Sequence, residues 1–289
     1  MNANLSNKYQ KLKETLQQLG SVAVAFSSGV DSTFLLDVAH EVLGAQAVAF
    51  TAASPFVPQR DVDEAAAFCR LKHIEHVIVP FDTLAIPGVP ANPTDRCYLC
   101  KHALFSHMVE LAKKHHLAAV VDGSNLDDDG DYRPGRRALK ELGIVSPLHA
   151  AGLTKADIRA LSKERGLATW GKPSFACLAS RFAYGETLTK EALDRVNRAE
   201  EFLMAKGFRQ LRVRVHDDAT LARIELLPKD IGRFTQTTGL REETETFFRA
   251  LGFRYTALDL RGFRSGSMNE GIAKQNALRD GGKAGIIEP

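Results

Sequence analysis

The feature that most restricts the fold is the apolar run Val22-Ala-Val-Ala-Phe26, which passes through Ser27-Ser-Gly-Val-Asp-Ser32 straight into Thr33-Phe-Leu-Leu-Asp-Val-Ala39. A short buried strand, a small-residue turn and a helix in immediate succession predict one crossover of an α/β domain. Such a turn aims free backbone N–H groups and the positive end of the helix at one point, which suits a phosphate. Ser27, Ser28 and Ser32 add hydroxyl donors, and Asp31 fits beside a phosphate if Mg²⁺ sits between the two. Gly29 is expected to supply the bend. The Gly-x-x-x-x-Gly-Lys-Ser/Thr pattern of a Walker loop is absent. The plain alternative is a strand–turn–helix corner that binds nothing.

The alternation continues. Further strands are predicted at 47–52, 74–79 and 117–121, with helices at 61–71 and 97–113, which argues for a parallel sheet covered on both faces. Ligands collect at the carboxyl ends of such strands. The turn after Phe26 and the turn Asp122-Gly-Ser-Asn125 both lie at such ends and can therefore face one site. Before the first strand, 5–19 reads as an amphipathic helix closed by Gly20. Later, Thr154-Lys-Ala-Asp157 reads as a capping box that opens a helix to Arg165. The text is irregular over 167–187, and a first domain is expected to end there, giving domains at 1–187 and 188–289. The second reads α+β, with helices at 190–205 and 241–251, strands at 210–215, 221–227 and 255–260, and a loose tail beyond Ser267. Along 210–215, Leu211, Val213 and Val215 share one face, while Arg212 and Arg214 share the other.

A chain of 289 residues is long enough for two cores. Its 38 Lys and Arg against 35 Asp and Glu give a net charge of +3, which speaks against a protein that lives on bulk nucleic acid. No apolar run reaches spanning length and the first residues lack a signal-peptide core, so a cytoplasmic protein with no membrane partner is expected. The four cysteines, Cys69, Cys97, Cys100 and Cys177, are too few for a disulfide framework. Cys69 falls on the apolar face of its helix and reads as core. Cys97 and Cys100 form a Cys-x-x-Cys at an expected helix start beside Arg96 and Lys101, a setting that should lower thiol pKa. A redox pair or half of a zinc site are open readings, although zinc would need four ligands and Cys177 is the one obvious third. Three thiolates with an open fourth position would also suit an iron–sulfur cluster.

The 27–32 stretch resembles the pyrophosphate loop, Ser-Gly-Gly-x-Asp-Ser, of the ATP pyrophosphatase (PP-loop) superfamily, from which it departs at Ser28. Beyond it, Asn92-Pro-Thr-Asp-Arg-Cys-Tyr-Leu-Cys-Lys101, Asp122-Gly-Ser-Asn125, Gly130-Asp-Tyr-Arg-Pro-Gly135, Ser146-Pro-Leu148 and Gly152-Leu-Thr-Lys-Ala156 look like the LarE family. So do Lys172-Pro-Ser-Phe-Ala-Cys-Leu-Ala-Ser-Arg181, Tyr184-Gly-Glu186, Arg212-Val-Arg214 and Gly262-Phe-Arg-Ser-Gly-Ser267. The resemblance runs from the phosphate loop almost to the tail.

It implies a PP-loop domain with a smaller α+β domain. The implied activity is ATP-dependent sulfur transfer to pyridinium-3,5-biscarboxylic acid mononucleotide, in nickel-pincer nucleotide cofactor biosynthesis for lactate racemase. ATP would lie against Ser27, Ser28, Gly29, Val30, Asp31, Ser32, Asp122, Ser124 and Asn125, with Mg²⁺ on Asp31. Cys177 would be the catalytic residue. Its sulfur would be lost in one turnover, or Cys97, Cys100 and Cys177 would hold a [4Fe-4S] cluster that carries sulfide. The cluster version accounts more economically for Cys97 and Cys100. Arg181, Tyr184, Glu200, Arg212 and Arg214 would serve the substrate, an Arg fork being suited to phosphate or carboxylate. A solvated strand face is the plain alternative for Arg212 and Arg214. The family also implies a homo-oligomer, a hexamer. Against this stand a tRNA thiolation enzyme, which predicts a strongly basic surface or an added RNA-binding module, and a non-catalytic nucleotide-binding module, which leaves Cys177 unexplained.

Overall fold

The computed structural model describes residues 3–130, 134–173 and 176–269. Contacts divide the chain into two units, Met1–Leu178 and Ala179–Pro289. The motif stretches over 131–133 and 174–175, and the tail from 270, lie outside the described residues.

The first unit runs α1 (Ala3–Leu19), β1 (Val22–Ala25), α2 (Val30–Leu43), β2 (Ala47–Ala53), α3 (Gln59–Lys72), β3 (His76–Pro80), α4 (Arg96–Lys114), β4 (Ala119–Val121), α5 (Gly135–Glu141), α6 (Pro147–Ala150) and α7 (Lys155–Glu164). The four strands form one sheet in the order β3-β2-β1-β4, with every pairing parallel. Side chains alternate across β1, and the core splits accordingly. Val22 and Val24 pack with Leu12, Leu16, Phe34 and Leu35 on one face, while Ala23 joins Phe50, Phe105 and Met108 on the other. This is why the strands read as continuous apolar runs.

The strand order sets the site. The chain moves outward from β1 through β2 to β3, then returns to place β4 on the free side of β1. That reversal opens a crevice at the carboxyl ends of β1 and β4. Gly123, in the turn after β4, closes on it: a Cβ there would stand 3.1 Å from the Ser32 amide nitrogen and 3.3 Å from Asp31 Cβ. The two turns expected to share one place are packed together.

The second unit runs α8 (Lys190–Ala205), β5 (Leu211–His216), β6 (Leu221–Leu226), α9 (Pro228–Gln236), α10 (Leu240–Ala250) and β7 (Tyr255–Leu258). Its sheet has the order β5-β6-β7, with β5 antiparallel and β7 parallel to β6. Helix α9 was not expected. It is nine residues long and carries Gly232 in its interior, which lowers helix propensity although its apolar residues, the buried Phe234 among them, fall on one face. Ser267, just before the tail, is buried and donates from Oγ to Glu225 Oε1 at 2.8 Å. Among the described residues no helix is long and apolar enough to cross a membrane.

Candidate active site

The phosphate loop bends at a residue other than the one expected. Ser28 takes φ 52° in the left-handed region, whereas Gly29, the N-cap of α2, is extended at φ −77° and ψ 167°. Strain at a non-glycine residue persists when its surroundings hold it, and Ser28 is 3% exposed and held from two sides. Its Oγ donates to the Asp61 carbonyl at 3.2 Å, and Lys172 Nζ donates to the Ser28 carbonyl at 3.2 Å and to its Oγ at 3.3 Å. Ser32 Oγ donates to the Gly29 carbonyl at 3.3 Å and lies 3.2 Å from Ser27 Oγ, tying the two ends of the loop.

A cleft of about 270 Å³ opens over this loop, lined by Ser27, Gly29, Val30 and Asp31, by Phe56 to Pro58 and Asp61, and by Lys155, Lys172, Ala176 and Cys177. The exposed Cys177 and the phosphate loop therefore face the same space. Ser28 and Ser32 are buried behind it. In the neighbouring turn, Asp122 accepts from Ser124 Oγ and Ser146 Oγ, both at 2.5 Å, which fixes the turn's shape. Asn125 Nδ2 reaches Asp31 Oδ1 at 3.4 Å. Asp31 also forms an ion pair with Lys155.

Helix α4 begins at Arg96, as the Cys-x-x-Cys reading requires, but the thiols titrate in the direction opposite to that expected. Burial, then the nearby charge of Cys177, raises Cys97, and the same two causes with Cys97 push Cys100 up to about 12. Arg96 and Lys101 act downward, as anticipated, and are outweighed. Arg96 Nη2 donates to Cys97 Sγ at 3.7 Å. The three sulfurs thus lie within electrostatic reach of one another. Among the described residues no three His, Cys, Asp or Glu side chains converge as a site for a single metal ion. Three neighbouring soft sulfur donors nevertheless match in kind what an iron–sulfur cluster takes. Cys69 is core, and burial lifts its thiol to about 11.

The second unit holds a buried charged group. Arg181 grips Glu200 through Nε and Nη2, both at 2.9 Å, and Glu200 Oε1 also accepts from the Val213 amide at 3.0 Å. Burial would raise the Glu200 carboxyl, but the charges of Arg181 and Arg212 bring it below the usual range. Arg214 Nε donates to Glu225 Oε2 at 3.0 Å and its Nη1 to the Ser180 carbonyl at 2.9 Å. Arg212 lies opposite Glu225 across the strand pair, with its guanidinium 5.1 Å from the Phe263 ring centre. The arginine face of β5 is therefore not solvated: Arg181, Arg212 and Arg214 are 1%, 4% and 5% exposed. Burial and the Arg181 charge pull the Arg212 guanidinium down to about 9. Arg181, Arg212 and Arg214 are thus buried in the same unit as Glu200 and Glu225. Tyr184 is half-buried in the same unit.

Sequence reasoning passed over Lys155, Lys172, Asp61 and Glu225. Both lysines lie inside stretches that carry the family resemblance, and that placement was the one available signal.

A parallel sheet of order β3-β2-β1-β4, with a serine-rich corner after β1 at the point of reversal, is the arrangement of a PP-loop domain, here with a cysteine in its cleft. No family model matches the chain. It is 38% identical over 273 residues, 94% of its own length and 97% of the other's, to the pyridinium-3,5-bisthiocarboxylic acid mononucleotide synthase of Lactiplantibacillus plantarum. The chain belongs to this family, LarE. It is also 42% identical to an uncharacterized protein of Synechocystis over 270 residues, 93% of this chain and all of that one. An argininosuccinate synthase of Natronomonas pharaonis matches at 26% over 156 residues, half of this chain and 39% of that enzyme.

Proposed function

We propose that the protein is an ATP-dependent sulfurtransferase that turns a carboxylate of pyridinium-3,5-biscarboxylic acid mononucleotide into a thiocarboxylate, for nickel-pincer nucleotide biosynthesis. The observation that carries this reading is the shared cleft: the phosphate loop with Asp31 and the exposed Cys177 line one space of about 270 Å³. The relative from Lactiplantibacillus, whose name describes a bisthiocarboxylic mononucleotide product, supports the same chemistry.

In the first step a substrate carboxylate oxygen attacks the α-phosphorus of ATP and pyrophosphate leaves. Ser27, Gly29 and Val30 offer donors to the phosphates, and Asp31 would carry Mg²⁺ to them. The acyl adenylate then meets sulfur, and AMP departs. Cys97, Cys100 and Cys177 would hold a [4Fe-4S] cluster, which when bound supplies a transferable sulfide at its free iron. The exposure of Cys177 in the cleft favours a second source. Its Sγ displaces AMP, the Cα proton is lost, and the Cβ–S bond breaks to leave dehydroalanine in the chain and the sulfur on the product. Arg212 and Arg214, with Arg181 held by Glu200, supply the charge for the mononucleotide phosphate, and Tyr184 orients the substrate. A cytoplasmic homo-oligomer, a hexamer by family resemblance, completes the reading.

The test is anaerobic purification followed by iron and sulfide determination, pyrophosphate release with substrate, and mass spectrometry of the 177 peptide after turnover. Substrate-dependent pyrophosphate release is expected, with four irons per chain or a loss of H₂S from Cys177. No pyrophosphate, no iron and an intact Cys177 together overturn the proposal.

A further inference from the structure

We infer that the cavity at the carboxyl end of α3, walled by Arg70, His73, Ile74, His76 and Ile78, is a binding site for a small organic anion, a carboxylate or phosphate carried on an apolar body. It is separate from the cleft over the phosphate loop. Asp61, in the first turn of α3, lines that cleft, whereas this cavity lies at the other end of the same 14-residue helix. The two ends of such a helix stand about 20 Å apart.

The cavity measures about 490 Å³, a size that suits a small molecule, and its walls divide by chemistry. Ala66, Ile74 and Ile78 form an apolar side. Cys69 extends it, since burial lifts its thiol to about 11 and keeps it uncharged. Arg70, His73 and His76 form the polar side, and no carboxylate is among the lining residues. The neighbouring charges are engaged elsewhere: Lys72 pairs with Asp37 at 2.8 Å, and Glu75 faces His115 at 3.7 Å. Nor does the Arg70 side chain cap its own helix, because the carbonyls of Cys69 and Arg70 accept from the Ile74 and His73 amides at 2.9 and 3.3 Å. Among the described residues the Arg70 guanidinium has no carboxylate partner.

The hydrogen bonds behind His76 fix which of its nitrogens a ligand meets. Thr51 Oγ1 donates to the Phe26 carbonyl at 2.9 Å, so its proton is committed and it accepts from His76 Nε2, also at 2.9 Å. The neutral ring therefore carries its proton on Nε2, and Nδ1 is the nitrogen that takes up a second proton beside an anion. Burial and the Arg70 charge hold the His76 pKa below the ordinary histidine value. Arg70 and His76 are thus close enough to oppose each other when both are charged, and an anion between them reverses that effect. The arginine fork suits a carboxylate or phosphate oxygen pair. Ile78 lies on β3, the edge strand of the sheet, and is 46% exposed, so the apolar body of a ligand gives it the cover that the sheet does not.

The test is NMR of the histidine rings in the full chain, with the His76 signal identified by its loss in His76→Gln. Phenyl phosphate and benzoate are the probes, and inorganic phosphate and benzyl alcohol are the controls that lack the apolar body and the charge. At least one aryl anion should shift the His76 signal saturably and move its titration midpoint upward, and the one that does so names the headgroup. Both controls should bind about tenfold more weakly or worse. Arg70→Gln should weaken the aryl anion about tenfold, and Ile78→Ser about threefold while leaving inorganic phosphate unchanged. Both side chains are exposed, so neither substitution threatens the fold. A His76 signal that neither aryl anion moves at millimolar concentration, or an affinity that Arg70→Gln leaves unchanged, overturns the inference. Pyrophosphate release plays no part in these measurements, so the cavity and the proposed function are judged separately.

Discussion

Ser28 occupies φ 52° at the tightest point of the phosphate loop, 3% exposed, with its hydroxyl on the Asp61 carbonyl and its own carbonyl under Lys172. A left-handed non-glycine residue costs about 1–3 kcal/mol, which here is offset by those bonds. Replacement by glycine removes the strain together with the hydroxyl and frees the unfolded chain, so the effects oppose. Ser28→Gly should leave stability within about 1 kcal/mol of wild type and retain pyrophosphate release. Ser28→Val puts a β-branched residue where φ is positive and loses the hydrogen bond, and should cost about 2–4 kcal/mol in chemical denaturation. Equal losses in the two variants would mean that the hydroxyl, and not the backbone, decides what this position tolerates. The same logic explains why the expected bend at Gly29 was misplaced. Glycine is the ready residue for positive φ, and only tertiary partners distant in sequence, Asp61 and Lys172, make serine acceptable at the neighbouring position.

Helix α7 connects its own stability to the cleft. Thr154 Oγ1 accepts from the Asp157 amide, and Asp157 Oδ2 accepts from the Thr154 amide, both at 3.1 Å, so the first turn is closed from both sides. Thr154→Ala should cost about 1 kcal/mol, and because Lys155 is the next residue it should also raise the KM for ATP. Thr189 caps α8 in the same way, accepting from the Ala192 amide at 3.1 Å. Thr189→Ala should cost a similar 1 kcal/mol or so by thermal denaturation and leave the KM for ATP where it was. A parallel rise in both variants would show that the first result was only lost stability. This capping box was legible in the sequence because its geometry is local: four residues contain all of it. The strands and the Asp122–Asn125 turn were legible for a related reason, since periodicity and strand ends follow from the backbone alone. The titration of Cys97 and Cys100 was not, because helix end and flanking cations are visible in sequence while burial and the approach of Cys177 are not.

Across the chain, several ionisable groups that folding shifts make the native state sensitive to acid. Burial and the Arg223 charge lower the pKa of His216, and burial and the Arg70 charge lower that of His76. His216 Nε2 accepts from Arg223 Nε at 3.2 Å, a bond that a protonated ring cannot make. Below the unfolded histidine value of about 6.5 the unfolded chain binds protons that the folded chain resists, so stability rises with pH through this window and is lost as pH falls. Each histidine can contribute at most about 1.4 kcal/mol per pH unit. Lower down, Glu200, Asp157 and Asp259 are each raised by burial but brought below the usual carboxylate range by their cationic partners and hydrogen bonds, so they add the same sign as pH drops through the carboxylate range. Asp61 and Glu186 oppose them, since burial lifts both and their protonation favours the folded form. The two histidines act between about pH 5.5 and 7. Denaturation midpoints should therefore fall from pH 7.5 to 5.5, and His216→Gln, which keeps an acceptor but no titratable ring, should flatten part of that slope. A slope that His216→Gln leaves unchanged would assign the acid sensitivity to other groups.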